Sequence, residues 1–232
     1  MKRILFLALF LSLLLTSISY AQLYWGNMDE HMEYLRRESF MSDFNAKAYE
    51  NIDGTPYMNK EYLEGKVYLK TGEVMDGKFR FDLYANQLQF LSDDRRYVIA
   101  FPEKIYKIEL DGNVIKYIAY TMDAGVYKGY FIELLNGYYS LFLKKSKTLK
   151  DPQATKPYQQ AKPAKFLDHK DYYYLQVGEK PAQRVSNKRD IINLCGEKGA
   201  EVEKYIKEQK ISLRRDYDLV KLVTYINNIY LE

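Results

Sequence analysis

The sequence predicts a mainly β protein of the α+β class. An antiparallel meander of eight or nine strands, curled or barrel-like, is followed by a C-terminal segment of three helices. Three observations lead to this prediction. Apolar and polar residues alternate with a period of two over 61–144, turn sequences interrupt that alternation, and helical spacing replaces it after residue 186. The composition fits a folded domain, since 47% of the 232 residues are hydrophobic and 28% are charged.

Residues 1–21 have the pattern of a secretory signal peptide. Lys2 and Arg3 precede an apolar run over 4–15, and Ser19 and Ala21 supply small residues at positions −3 and −1 of a cleavage site. The run is shorter than the ~20 apolar residues of a spanning helix, so we expect cleavage after Ala21. Cleavage lowers the formal net charge from +4 to +2. The sequence therefore predicts an exported protein, periplasmic or extracellular, with association to the outer membrane left open and no later transmembrane segment.

Residues 22–60 form an N-terminal extension. Apolar residues at spacings of three and four predict a short helix over 29–37. A turn is predicted over 51–56, because Asp53-Gly54 supplies a left-handed position and the following Pro56 fixes φ.

Residues 61–144 form the predicted antiparallel β domain. Phe79 and Phe81 alternate with Lys78, Arg80 and Asp82, which predicts that the aromatic residues face a core and the charged residues face water.

A second run has the same alternation: Tyr106, Ile108 and Leu110 are predicted to share the core side, with Lys107 and Glu109 between them. Turn sequences separate the runs, and Asp-Gly and Asn-Gly are the strongest hairpin signals among them. These turns are Thr71-Gly72, Ser92-Asp93-Asp94, Asp111-Gly112 and Asn136-Gly137. The eight strands predicted here lie near residues 66–70, 74–84, 87–91, 97–101, 105–110, 114–120, 127–134 and 138–144.

Residues 145–165 interrupt the alternation with six lysines and three prolines. Such a composition predicts an exposed loop or linker. The alternative is a basic segment that touches an anionic surface, such as lipopolysaccharide or an acidic glycan.

Residues 166–232 combine a last strand with the helices. The strand is predicted over 172–177, and the helices over 187–195, 200–209 and 217–230. Ser186 is the predicted N-cap of the first helix and Gly196 its stop.

Several short motifs occur along the mature chain in a characteristic order. They are Gly54–Met58, Gly65–Val67, Arg80–Tyr84, Phe101–Glu103, Tyr173–Leu175, Asn187–Asp190 and Tyr205–Lys207. This order resembles a group of uncharacterised small exported β-rich proteins of Bacteroidota, to which no activity is assigned. The resemblance implies an envelope or secreted location in such a bacterium, and it brings no catalytic residues.

The residues that carry chemistry form no catalytic or metal-binding pattern, and no cofactor is predicted. Cys195 is the single cysteine and ends an apolar run, so we expect a buried, inert thiol. His31 and His169 lie far apart and lack metal-ligand spacing. A formal charge of +4 is too small to predict binding to nucleic acid.

Tyrosine is the unusual component, at 24 residues. Tyr138, Tyr139, Tyr172 and Tyr174 are the candidate binding residues, because a tyrosine combines an apolar ring with a polar tip that suits glycans and protein partners. In a strand Tyr172 and Tyr174 share one face. The alternative is structural, since tyrosine also fits half-buried strand positions.

The predicted function is that of an exported envelope protein, a non-enzymatic module that binds a protein partner or a glycan. Two alternatives stay open. One is a hydrolase acting on envelope polymers, and the other is a structural or assembly subunit of an envelope complex whose strand edge pairs with other components. The sequence does not specify the ligand or the oligomeric state.

Overall fold

The computed structural model describes residues 49–123, 125–153 and 162–231. These residues form twelve β-strands and three α-helices. The strands are β1 (Leu63–Leu69), β2 (Val74–Asp82), β3 (Gln87–Ser92), β4 (Arg95–Val98), β5 (Ile105–Leu110), β6 (Asn113–Met122), β7 (Gly125–Leu135), β8 (Tyr139–Lys144), β9 (Lys147–Lys150), β10 (Lys165–Asp168), β11 (Tyr172–Val177) and β12 (Gln183–Val185). The helices are α1 (Lys188–Leu194), α2 (Gly199–Glu208) and α3 (Asp216–Leu231).

Ten strands form one antiparallel sheet in the order β12-β11-β8-β7-β6-β5-β1-β2-β3-β4, and β9 pairs with β10 in a separate hairpin. This confirms the mainly β, antiparallel prediction and the three helices that follow the sheet. Within the described ranges, the strands at the two ends of the order do not pair with each other. The sheet is therefore not closed, and the barrel-like form stays a prediction.

Turn residues account for the hairpins where the sequence predicts them. Asp111 and Gly112 join β5 to β6 with φ values of 52° and 70°, and Asp93 and Asp94 join β3 to β4 with φ values of 47° and 57°. Two successive positive φ values give a turn whose twist matches that of paired strands, and Asp and Gly tolerate this conformation best. The local sequence is thus enough to place these hairpins.

Two apolar clusters lie side by side on one face of the sheet. The first fills the face over β1–β7, with Phe79, Phe90 and Ile108 fully buried. The second lies where the helices cover β8 and β11, and it buries Leu222 and Ile226 of α3. Leu134 and Tyr173 contact both clusters, so the two form one continuous layer.

A third, smaller cluster lies on the opposite face and is mostly aromatic. Tyr120, Phe131, Phe142 and Tyr174 pack with edge-on ring contacts between 5.0 and 6.3 Å. β7 and β8 are consequently buried on both faces. The sequence predicts a sheet with one face toward water, and β7 and β8 depart from that prediction.

The chain closes over this third cluster through Ala182, just before β12. The Ala182 N–H donates to the Ala119 carbonyl at 2.9 Å, and the Thr121 N–H donates to the Ala182 carbonyl at 2.9 Å. Ala182 is fully buried. Because β7, β8 and β11 lie between β6 and β12 in the sheet order, these bonds draw the two sides of that region together.

The prediction that Arg80 and Asp82 face water is wrong. Their exposed fractions are 8% and 0%, whereas Lys78 on the same face of β2 is exposed. Residues 56–58 run beside the end of β2, where the Met58 N–H donates to the Phe81 carbonyl and the Leu83 N–H donates to the Pro56 carbonyl, both at 2.9 Å. Residues just before and after 56–58 cover Arg80 and Asp82. Because this contact joins distant parts of the chain, the local alternation of apolar and polar residues does not predict it.

The prediction for Tyr106 is also wrong. Its side chain is 54% exposed, while Ile105 is 3% exposed and Ile108 is fully buried. The pairing of β1 with β5 shifts register between Tyr68 and Leu69, which face Lys107 and Ile105. Such a bulge reverses the alternation of the strand on one side of it.

The first helix begins one residue later than predicted. Asn187, not Ser186, is the N-cap, and its side chain accepts a hydrogen bond from the Asp190 N–H while the Asp190 carboxylate accepts from the Asn187 N–H. This capping box satisfies two backbone donors at once. Gly196, with φ of 48°, follows the helix as predicted.

Other predictions fall on different parts of the chain. The leader 1–21 and the helix over 29–37 lie outside the described residues. Within 145–165, where the sequence predicts a loop, Lys147–Lys150 forms β9 and Lys165 begins β10. No helix in the described ranges has the length and apolar character needed to cross a membrane.

Candidate functional site

A cleft of about 720 Å³ opens between the β7–β8 turn and the C-terminal half of α3. Its walls combine a turn, a tyrosine from each side and several amide side chains. The lining residues are Leu135, Asn136, Gly137, Tyr138, Thr224, Asn227, Asn228 and Tyr230. We refer to this set as the tyrosine–amide cleft. Its size lies within the range of small-molecule sites in proteins.

The turn side of the cleft is fixed by Gly137 and Ser140. The Gly137 N–H donates to Ser140 Oγ at 3.1 Å, and that hydroxyl donates back to the Gly137 carbonyl at 2.8 Å. A Cβ on Gly137 would lie 2.7 Å from Asn227 Nδ2. A residue without a side chain is therefore required for the turn to approach α3 this closely.

Asn227 joins the helix to the sheet at the floor of the cleft. Its Oδ1 accepts from the Tyr139 N–H at 2.8 Å, and its Nδ2 donates to the Tyr139 carbonyl at 2.9 Å. The two hydrogen bonds use both ends of the amide and set its orientation. Asn227 therefore acts as a positioning residue, while the exposed side chains of Asn136 and Asn228 carry the amides that a ligand could reach.

Three tyrosine rings form a continuous aromatic wall. The Tyr138 and Tyr139 ring centroids are 5.4 Å apart, and those of Tyr139 and Tyr230 are 4.9 Å apart. Tyr139 is 2% exposed, and burial raises the pKa of its hydroxyl far above the ordinary value. Tyr138 is 60% exposed and Tyr230 is 37% exposed, so both rings are open to the cleft while they pack on the buried ring of Tyr139.

The hydroxyls of these tyrosines bond to the end of α1. Tyr139 donates to the Leu194 carbonyl at 3.3 Å, and Tyr230 donates to the Cys195 carbonyl. The C-terminal carbonyls of a helix lack partners within the helix, and these two bonds supply them. The wall is thereby fixed to the helical layer as well as to the sheet.

Among the described residues that line the cleft there is no Asp, Glu, Lys, Arg or His. Its polar side-chain groups are neutral amides, the hydroxyls of Tyr138 and Tyr230, and the hydroxyl of Thr224, which donates to the Val220 carbonyl at 2.8 Å and keeps its oxygen as an acceptor. Such a surface offers ring faces to apolar C–H groups and amides to hydroxyl groups. The arrangement can bind a neutral polar ligand.

The structure does not bring the four candidate tyrosines together. Tyr138 lines the cleft and Tyr139 lies directly beneath it. Tyr172 and Tyr174 belong to the third cluster on the opposite face, where Tyr174 is 4% exposed and the Arg184 guanidinium lies 3.6 Å above the Tyr172 ring centre. Tyr172 and Tyr174 do share one face of β11, as alternation predicts.

Sequence reasoning missed the helical side of the cleft, formed by Thr224, Asn227, Asn228 and Tyr230. One signal was present, because Asn227 and Asn228 are consecutive poor helix formers within the mostly apolar C-terminal half of the helix. Their partner is Tyr139, 88 residues earlier than Asn227, and this distance is beyond any local pattern.

Of the residues considered for catalysis, Cys195 lies in the interior, His169 lies at the surface beside a polar cleft, and His31 lies outside the described residues. Cys195 is fully buried, and burial raises the pKa of its thiol to about 12, which leaves the nucleophilic thiolate negligible at neutral pH. His169 is exposed, and its backbone N–H donates to the Ser146 carbonyl at 3.0 Å. Among the described residues no group of three or more His, Cys, Asp or Glu side chains could hold a metal ion.

A second, polar cleft of about 670 Å³ contains three carboxylates, each already bonded to a neighbour. Asp168 pairs with Lys147 at 2.8 Å, Asp171 pairs with Lys145 at 3.4 Å, and Asp111 accepts from Asn59 at 2.8 Å. Each contact uses one oxygen of its carboxylate, so these aspartates hold neighbouring groups in place while the second oxygen takes no part in the contact.

Comparison with known proteins gives no relative: no family model, no curated protein and no solved structure matches this chain.

Proposed function

We propose that the protein is an exported, non-enzymatic binding module whose tyrosine–amide cleft binds a neutral glycan. One observation carries the proposal: two partly exposed tyrosine rings and two exposed asparagine amides line a single cleft in which no described residue is charged. The export part of the proposal depends on the leader pattern in 1–21, and the resemblance to envelope proteins of Bacteroidota agrees with it.

The chemistry of a neutral sugar matches the two kinds of surface in the cleft. A pyranose ring has an apolar face of C–H groups, which packs on an aromatic ring, and a rim of hydroxyls that both donate and accept. Tyr138 and Tyr230 offer ring faces with limited side-chain entropy to lose, and Asn136 and Asn228 offer both donors and acceptors. A charged ligand would find no opposite charge in the lining.

The same features weigh against the two alternatives. A glycoside hydrolase requires two carboxylic groups across the bound sugar, and the tyrosine–amide cleft has none in its lining. Strand pairing in an assembly would use one of the two edge strands of the sheet, β4 or β12. β4 has four residues and begins with Arg95 and Arg96, and β12 has three residues with Arg184 at its centre. Short, charged edges are typical of strands protected from pairing.

The test is a binding measurement on the mature protein with defined neutral oligosaccharides. Maltohexaose, cellohexaose, xylohexaose and mannohexaose serve as probes in isothermal titration calorimetry. We expect saturable binding of at least one probe, and we expect Tyr138→Ala to weaken it at least about tenfold, the loss typical of a central aromatic contact.

Two further variants give the test its specificity. Tyr217→Ala removes a tyrosine that is 76% exposed and outside the cleft, and it should leave binding unchanged. Gly137→Ala should weaken binding because its Cβ displaces Asn227. Failure of all four probes to bind, or equal effects of Tyr138→Ala and Tyr217→Ala, would reject the proposal.

A further inference from the structure

Lys144, at the end of β8, has an unusual environment for a lysine. Its Nζ lies 4.4 Å from the ring centre of Tyr120 and 4.4 Å from that of Phe131, on the face opposite the helices. Within the described ranges no carboxylate pairs with it, in contrast to Lys116 on the same face, which pairs with Glu133 at 2.5 Å. The ammonium is held between aromatic rings, and no described residue supplies a counter-charge.

The pKa of Lys144 is consistent with this isolation. Burial lowers it to about 8, and no acidic neighbour among the described residues raises it again. A cation in such a place is destabilised, and an added anion would stabilise it more strongly than at a fully hydrated site.

Asn86 brings a second donor to the same point. This residue lies in the β2–β3 turn with φ of 54°, and its Oδ1 accepts from the Tyr130 N–H at 3.3 Å. Because the oxygen faces that N–H, the amide orientation is set and Nδ2 points the other way. Within the described part of the chain, Nδ2 has no hydrogen-bond acceptor.

Gly129 of β7 is where the two donors meet. A Cβ on Gly129 would lie 3.0 Å from Lys144 Nζ and 3.1 Å from Asn86 Nδ2. The missing side chain allows both nitrogens to lie against the same stretch of backbone. Neither nitrogen is among the polar side-chain atoms of the described residues that are fully buried without a hydrogen bond, so each keeps some contact with solvent.

We propose that Lys144 and Asn86 form a binding site for one anionic oxygen group, a carboxylate or a phosphate, placed across their two nitrogens beside Gly129. The ammonium supplies charge, the amide supplies direction, and the rings of Tyr120 and Phe131 limit access of water. A charge-assisted hydrogen bond in a partly dehydrated place is stronger than the same bond in water. Arg184, which lies over Tyr172 on the same face, adds to the positive potential.

This site differs from the tyrosine–amide cleft in both position and charge. Lys144 and Asn86 lie on the opposite face of β8 from Tyr139 and carry an ammonium, whereas the cleft is neutral. The anion site therefore does not depend on the proposed glycan binding, and the two proposals are tested with different probes.

The experiment is an NMR titration of the full mature chain labelled with ¹⁵N. Sodium phosphate and sodium acetate are separate probes, and sodium chloride at matched ionic strength is the reference. We expect saturable shifts in the Asn86 side-chain amide and the Gly129 backbone amide with phosphate, acetate or both. The probe that binds more tightly identifies the preferred anion.

Three variants decide between a site and a general salt effect. Lys144→Met keeps the apolar stem on the rings and should abolish saturation, and Gly129→Ala should weaken binding at least about tenfold by separating the donors. Gly77→Ala is the control, because its Cβ would meet only the Phe79 ring at 3.4 Å. The proposal is wrong if phosphate and acetate shift these signals no more than chloride, or if Lys144→Met binds as the unchanged protein does.

Discussion

Arg80 lies in the interior with its guanidinium group held between two tyrosine rings. The Cζ atom is 3.5 Å from the ring centre of Tyr57 and 4.2 Å from that of Tyr62. The group donates to Gln89 Oε1 at 2.9 Å, to the Tyr62 hydroxyl at 3.2 Å and to the Lys60 carbonyl at 3.2 Å. Since Tyr57, Lys60 and Tyr62 precede β1, Arg80 holds that part of the chain on the sheet.

Replacement of Arg80 by alanine should lower the free energy of unfolding by about 3 kcal/mol, because a buried cation–π stack and several hydrogen bonds are lost together. Chemical denaturation followed by far-UV circular dichroism measures this change. Lys78→Ala is the control, since Lys78 is exposed on the same face of β2 and its loss should change stability by less than about 0.5 kcal/mol. Equal effects of the two substitutions would contradict the role given to Arg80.

Asp82 has a pH dependence opposite to that of most aspartates. Its Oδ1 accepts from the N–H groups of Tyr84 and Ala85, and Oδ2 accepts from the Tyr49 hydroxyl at 3.0 Å. Burial nevertheless outweighs these bonds and raises the pKa of Asp82. Because the pKa of Asp82 is higher in the folded protein, the folded protein binds the proton of this carboxyl group more tightly than the unfolded chain does. The contribution of Asp82 to stability therefore falls as pH rises above the unfolded pKa of about 3.9.

The substitution Asp82→Asn should therefore become relatively more favourable as pH rises from 4 to 7. The quantity to compare is the difference in unfolding free energy between the variant and the unchanged protein at each pH. Asp76→Asn provides the control for loss of an exposed carboxylate from the same strand. If both substitutions give the same pH profile, burial does not control Asp82.

At the scale of single elements, the N-cap of α1 differs between the prediction, which gave Ser186, and the structure, which has Asn187. The side chain of Asn187 caps the helix, while Ser186 contributes only its backbone N–H, which donates to Asp190 Oδ2 at 2.7 Å. Asn187→Ala should cost about 1 kcal/mol and lower Tm by about 2–4 °C. Ser186→Ala should leave Tm nearly unchanged in the same thermal scan, and the reverse order would restore Ser186 as the cap.

Two glycines that face each other across β1 and β2 give a second comparison. Gly65 pairs with Gly77 in the ladder, yet a Cβ on Gly65 would lie 2.8 Å from the Glu109 carbonyl oxygen, while one on Gly77 would make only ordinary contact with Phe79. Gly65→Ala should cost about 1–3 kcal/mol because β1 must move from β5, and Gly77→Ala should be close to neutral. Urea denaturation of the two variants measures the difference, and similar costs would contradict the close approach.

The elements that the sequence predicts well are those whose causes are local. Two adjacent residues determine the conformation of the Asp111-Gly112 turn, and the apolar residues of α3 recur at helical spacing within one helix. The errors share a different cause. The burial of Arg80 depends on residues about twenty positions earlier, and the place of Asn227 in the cleft depends on Tyr139, 88 residues away. Contacts of this length have no signature in periodicity.

At the scale of the molecule, one face of a single sheet carries the first and second apolar clusters. β7 and β8 carry residues of both, and Leu134 and Tyr173 touch both. Strands from either side of the 145–165 segment lie next to each other, because β11 pairs with β8 over six residue pairs. Loss of the helical layer should thus weaken the strands at the far end of the sheet as well.

Replacement of Ile226 by alanine tests this coupling. Ile226 is fully buried between α3 and the sheet, and its truncation should cost about 2–5 kcal/mol. If the sheet unfolds as one unit, hydrogen exchange of amides in β1 and β2 should accelerate by the same factor as exchange in β8, although β1 and β2 lie beyond β5, β6 and β7 in the sheet order. Tyr217→Ala on the same helix should change neither rate, because Tyr217 is 76% exposed. Acceleration confined to β8 and β11 would mean instead that the helical layer and its two strands open as a separate unit while the first cluster stays folded.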